Sequence, residues 1–289
     1  MNNKIHVLSS GIPLVDKTWG GFYIGGTYFL IGPHKSGKTI LGIQCARECA
    51  RQKQVCLYFT ALKPKDLLIH SATIDFDMEA FINQNLIIVI KIALPSMSNI
   101  SGKHDEELAV HWNEITRVIE QYKPDKIVFD DFTPFMGFHN YAALTEVFRR
   151  SMEVIEHYQT TNLFIFSDPA NNISENLVNS VIKEGNGVIY INNENQSKEG
   201  EMTITPIVGH PEGQFKSFYS ISAYEGITVD FIDSSPVMEV AKGKMIKGDK
   251  KGFGTGGNGR KNLFNDGFTL GNNDDDFNLD NDNTDDIET

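Results

Sequence analysis

The sequence has 289 residues, 40% hydrophobic and 22% charged, enough for one large domain or two small ones with an ample core. Its formal charge of −12 divides into −9 over residues 1–241, +6 over 242–261 and −9 over the remainder, which counts against a broad nucleic-acid-binding face on the body of the chain. No apolar run approaches the roughly 18 residues of a membrane span and the first residues carry no leader pattern, so a soluble, unexported protein is expected.

The first strand-like apolar run is Gly26 to Gly32. It leads directly into Gly32-Pro33-His34-Lys35-Ser36-Gly37-Lys38-Thr39, which fits G-x-x-x-x-G-K-[ST], and a helical stretch from Ile40 to Arg51 follows. A turn between a strand and a helix can surround phosphate oxygens with backbone N–H groups. Lys38 is placed to reach the β- and γ-phosphates and Thr39 to ligate magnesium, so nucleotide binding, with ATP and Mg2+, is the expectation. His34 is a solvated loop residue or a phosphate contact.

Cys45 and Cys49 are four apart on that helix and share a face, where two small residues packing on the sheet are favoured over a redox pair. With Cys56 they lie within twelve residues, no His completes a metal-ligand set, and a reducing cytoplasm is the default compartment.

Further strand-like runs follow at Val55–Thr60, Leu86–Ile92, Lys126–Asp130, Asn162–Ser167 and Gly187–Asn192. Between them Leu108, Trp112, Ile115, Val118, Ile119 and Tyr122 fall at helical spacing, as do Leu144, Val147, Phe148, Met152, Ile155 and Tyr158. This alternation predicts a three-layer α/β domain with a mainly parallel sheet. Asp130, at the end of Lys126-Ile127-Val128-Phe129-Asp130-Asp131, is placed to hold the magnesium shell, the alternative being an ordinary turn or cap aspartate.

After Asn192 short segments around Met202–Val208, Phe218–Ile221 and Ile227–Phe231 flank the turn Gly209-His210-Pro211-Glu212-Gly213 and suggest an antiparallel C-terminal extension. The change in composition predicts that the ordered domain, the ATP-binding one by its phosphate loop, covers residues 1–240 and that 241–289 is a disordered tail, first Gly/Lys-rich and then Asp/Asn-rich. Within 242–261, Lys242, Lys244, Lys247, Lys250, Lys251, Arg260 and Lys261 form a basic segment that is a solvated linker or a contact for nucleic acid.

The lead-in Leu8-Ser9-Ser10-Gly11-Ile12-Pro13-Leu14-Val15-Asp16, then Gly20-Gly21, Gly25 and the phosphate loop, resembles the KaiC and RadA branch of the RecA-like P-loop ATPases over about residues 7 to 232. The resemblance implies a RecA-like core, Asp130 as a Walker B aspartate, Ser167 and Asp168 at a polar phosphate-sensing position, and self-association with nucleotide at subunit boundaries. It also exposes departures. KaiC-like proteins carry a pair of glutamates ahead of a Thr-Pro or Ser-Pro, whereas Tyr58-Phe59-Thr60-Ala61-Leu62-Lys63-Pro64 places Ala61 and Leu62 there, and neither accepts a proton.

The family's "LKMRG" segment corresponds best to Thr205-Pro206-Ile207-Val208-Gly209, without its cations, and Lys35 stands where glycine is common. The resulting expectation is a regulatory or assembly component that binds ATP with weak or absent hydrolysis. One alternative is an active ATPase using Asp131 or partner residues. Another is a recombination accessory protein that binds single-stranded DNA through residues 242–261.

Overall fold

The computed structural model describes residues 6–93, 104–137, 140–167, 178–193 and 199–229, all within the first of two units, Met1–Val240. The basic and acidic segments from Lys242 onward and Asp168 lie outside the described residues. The chain begins with β1 (Val7–Leu8), α1 (Pro13–Thr18), β2 (Phe22–Tyr23), β3 (Thr27–Gly32), α2 (Lys38–Arg51) and β4 (Cys56–Thr60). It continues through α3 (Pro64–Ala72), α4 (Met78–Asn83), β5 (Ile87–Lys91), α5 (His104–Tyr122), β6 (Lys126–Asp130), a 3-10 turn (Thr133–Met136) and α6 (Tyr141–His157). The last elements are β7 (Thr161–Ser167), β8 (Gly187–Asn192), β9 (Glu199–Pro206), β10 (Phe215–Ser222) and β11 (Gly226–Val229).

Each of the continuous apolar runs becomes a parallel strand, because a strand covered by helices on both faces has no solvent side on which to place polar residues. Every residue of β3, β4 and β6 is buried. The large sheet has the order β11-β10-β9-β8-β3-β7-β6-β4-β5, with β8 to β5 in that list parallel and β9, β10 and β11 antiparallel. The expected antiparallel extension is therefore present, and it continues the same sheet beyond β8.

Alternation along β3 distributes side chains between two cores. Tyr28 and Leu30 pack with α1, α2 and Tyr58, whereas Phe29 and Ile31 face Leu108 and Trp112 of α5 and Leu144 and Phe148 of α6. The second core is aromatic: Phe129 lies over Phe59 at 4.9 Å and meets Phe132 edge-on at 4.7 Å, and Trp112 meets Phe132 edge-on at 4.9 Å. The three layers are these two sets of helices and the sheet between them. Cys45, Cys49 and Cys56 are all free and fully buried in the first core, which fits packing residues. Burial pushes the Cys45 thiol up to about 11.

The glycine-bearing lead-in forms a small closed turn. Asp16 accepts hydrogen bonds from Ser9 Oγ and Ser10 Oγ at 2.7 Å, from the Ser10 amide at 2.6 Å and from the Gly11 amide at 3.0 Å. One carboxylate thus satisfies the backbone of the turn that precedes α1. Gly11 has φ +81°, and a Cβ there would stand 2.5 Å from the Gln44 carbonyl, so glycine lets the turn lie directly on α2.

His210, in the turn after β9, is held between the rings of Trp19 at 4.1 Å and Tyr23 at 4.3 Å. Its Nε2 shares a 2.7 Å hydrogen bond with the Tyr28 hydroxyl, and burial raises Tyr28 above the ordinary phenol value, so the hydroxyl stays neutral. Burial lowers the His210 pKa from its ordinary value, opposed by the charge of Glu212. Because the unfolded chain takes up this proton first, the contribution is complete above about pH 6.5 and declines as pH falls toward the lower folded value. Thermal unfolding followed between pH 7.5 and 5 is expected to show this loss, and a His210→Phe variant to lack that part of the slope.

Candidate nucleotide site

β3, the middle strand of the nine-stranded sheet, lies between β7 and β8 and delivers the chain into the phosphate loop, and α2 carries it away. Lys38 is 8% exposed, and its ammonium donates to the carbonyls of Gly32 and Pro33, each at 2.8 Å. The Ser36 hydroxyl donates to the Pro33 carbonyl at 2.8 Å, and the Ser36 carbonyl accepts from the Tyr219 hydroxyl at 2.7 Å. These contacts occupy loop carbonyls. Backbone donors at the start of a helix are what an anion requires, and the first turn of α2 contains no acidic residue to oppose one.

Pro33, His34, Lys35, Ser36 and Gly37 occupy the expected loop positions, with His34 and Lys35 exposed. Lys35 adopts φ +64°, a left-handed conformation that a glycine holds without strain. Gly37 adopts φ +100°, and a Cβ there would lie 2.7 Å from Ile227 Cδ1, so the loop rests against the antiparallel extension.

β6 places Asp130 beside Thr60 of β4. The Asp130 carboxylate accepts from the Tyr58 hydroxyl at 3.0 Å and from the Thr39 hydroxyl at 3.4 Å. Burial pushes Asp130 up to about 6; the two hydroxyls oppose the shift, while the neighbouring Asp131 adds to it. A buried carboxylate next to a threonine hydroxyl is a fitting pair of oxygen donors for magnesium, which takes one or two protein ligands and completes its shell with phosphates and water. No group of three or more His, Cys, Asp or Glu suited to a metal occurs among the described residues.

Asp131 points to a different set of partners. One oxygen accepts from the amide and hydroxyl of Thr133, and the other accepts from the Ser167 hydroxyl at 2.7 Å. Thr133 in turn accepts from the Ser167 amide at 2.8 Å, so this network ties the ends of β6 and β7 together and sets Ser167 at the sheet edge that carries the loop. Ala61 and Leu62 follow β4 on the same edge, with Leu62 packed against the apolar core.

Two residues of this arrangement carry no motif signal. Tyr58 and Tyr219 sit at buried positions of strands, where a tyrosine reads as an apolar residue until its hydroxyl is seen to reach Asp130 or Ser36. Their strands are separated from the loop in sequence, and only the sheet order brings them to it.

A family model described as "ATPase: KaiC" matches residues 8–233. No curated protein sequence matches the chain significantly. Among solved structures, the chain is similar to a KaiC-like protein from the hyperthermophilic archaeon Pyrococcus horikoshii OT3, with a TM-score of 0.57 and 18% identity over 78% of this chain and 99% of that one. At that identity the likeness is one of fold. No helix among the described residues is long and apolar enough to cross a membrane.

The burial of Asp130 has a measurable cost. In the absence of ligands at pH 7.5, Asp130→Asn is expected to raise stability by about 1–3 kcal/mol, because the variant buries no charge while an amide oxygen still accepts from Tyr58. The wild-type penalty builds between about pH 4 and 6 and is complete above that, so the difference should be smaller at pH 5. The same variant should lose the effect of Mg2+ on nucleotide affinity, as read by titration with and without EDTA.

Proposed function

The chain belongs to the KaiC ATPase family, and from that premise we propose that it binds ATP with magnesium as a nucleotide-dependent regulatory or assembly component that hydrolyses ATP slowly or not at all. Backbone N–H groups of residues 34–37 and the first turn of α2 take the phosphate oxygens, and the Lys38 ammonium, seated at the carbonyls of Gly32 and Pro33, neutralises the terminal phosphates. Thr39 and Asp130 hold the metal, which when bound supplies charge neutralisation across the phosphates. Ser167, fixed by Asp131, is the polar group at the γ-phosphate end.

The observation that carries the reading of weak hydrolysis is the end of β4. Thr60 stands level with Asp130 across the sheet, and the residues that follow it are Ala61 and Leu62. A positioned base is typically worth about 10²–10⁴ in rate. Asp131 is a poor substitute, because both of its oxygens already accept hydrogen bonds from Thr133 and Ser167. The segment Thr205-Pro206-Ile207-Val208-Gly209 offers an assembled neighbour no cation either, and a cationic finger is typically worth about 10³ or more. Self-association and a reducing, cytoplasmic setting belong to the same proposal, the latter supported by three buried free thiols.

Purified protein with ATP and Mg2+ is expected to bind nucleotide but release phosphate slowly, and Lys38→Ala should weaken binding at least about tenfold. Ala61→Glu and Leu62→Glu, singly or together, should raise phosphate release about tenfold or more. Rapid release by the wild-type protein would overturn the weak-hydrolysis reading.

A further inference from the structure

The antiparallel extension does more than widen the sheet. Tyr219, in the middle of β10, is fully buried and sends its hydroxyl 2.7 Å to the carbonyl of Ser36. Opposite it on β9 is Gly200, where a Cβ would come within 2.5 Å of Tyr219 Cζ and 2.6 Å of its hydroxyl oxygen. Glycine at that position makes room for the ring. Burial raises the Tyr219 phenol to about 12, so it remains a neutral donor at physiological pH.

A trans peptide is planar, with its C=O and N–H pointing in opposite directions. Fixing the Ser36 carbonyl toward β10 therefore directs the Gly37 N–H away from β10. Glycine at 37 tolerates either orientation of this peptide, so the loop sequence alone does not choose one. The hydroxyl does. Neighbouring contacts hold the same parts in register: Ile221 and Ile227 lie against Gly37, and the Gln44 side-chain amide of α2 donates to the Ile227 carbonyl at 3.1 Å and accepts from the Ile227 amide at 2.9 Å.

We infer that Tyr219 is a positioning residue for phosphate binding, its hydroxyl holding the Ser36–Gly37 peptide with the N–H presented to the phosphates of a nucleoside polyphosphate. The inference rests on the nucleotide-binding reading above and adds a determinant from a strand about 180 residues away, since Tyr219 and Ser36 are 183 positions apart. In Tyr219→Phe the ring and its packing are retained, but the buried Ser36 carbonyl loses its donor and the peptide is free to turn.

The test is calorimetric titration of full-length wild type and Tyr219→Phe with ATP and with inorganic pyrophosphate, each with Mg2+, beside thermal unfolding of the ligand-free proteins. Tyr219→Phe should weaken both ligands by the same factor, about five- to twentyfold, because pyrophosphate has no base or sugar to lose. The amide resonance of Gly37, which should shift on adding pyrophosphate to wild type, should respond less in the variant. A purely structural role would instead lower the unfolding temperature and leave the affinity of the folded protein unchanged. Should Tyr219→Phe fail to fold, Gly200→Ala, which displaces the ring but keeps the hydroxyl, is expected to weaken pyrophosphate binding in the same way. Equal affinities in wild type and the folded variant overturn the role of Tyr219 while leaving nucleotide binding intact. Absence of ATP binding by wild type overturns the underlying reading itself.

Discussion

The site depends on how the carbonyl oxygens of one tight turn are satisfied. Between β3 and α2 the chain must reverse while keeping its N–H groups available, and a buried turn cannot leave its carbonyls without donors. Lys38 satisfies Gly32 and Pro33, and Tyr219 satisfies Ser36. With the acceptors engaged inward, the donors at the beginning of α2 form the natural seat for an anion.

The large sheet aligns the other groups with that turn. Parallel pairing puts the C-terminal ends of β3, β4, β6 and β7 on one edge, so Thr60, Asp130 and Ser167 come from separate parts of the chain to the same side as the loop. Two carboxylates adjacent in sequence then have separate tasks. Asp130 faces Thr39 and Tyr58, the environment of a metal ligand, while Asp131 is engaged by Thr133 and Ser167 and braces two strand ends. The apolar residue Leu62 after β4 belongs to the packing of the first core, so the edge that carries Asp130 offers no base at that point.

Much of this architecture was legible in the residues. The strands β3, β6 and β8 appear as unbroken apolar runs because they are covered on both faces, and the long helices α5 and α6 carry enough turns for their apolar stripe to emerge. Helices α1 and α4 have six residues each and α3 nine, too short for a period; α4 is marked chiefly by the Asp77 cap that accepts from the Ala80 amide. The phosphate loop was recognisable because its chemistry is compressed into eight consecutive residues. Tyr58 and Tyr219 were not, since their hydroxyls act across the sheet, and the spacing of Asp131 and Ser167 does not disclose that they share a hydrogen bond.

The proposed combination of nucleotide binding with slow hydrolysis is tested most directly by the identity of the nucleotide that remains on the protein. Protein incubated with ATP and Mg2+, separated from free nucleotide and then denatured should yield predominantly intact ATP from the complex after many minutes. Recovery of ADP with stoichiometric phosphate over the same interval would contradict it.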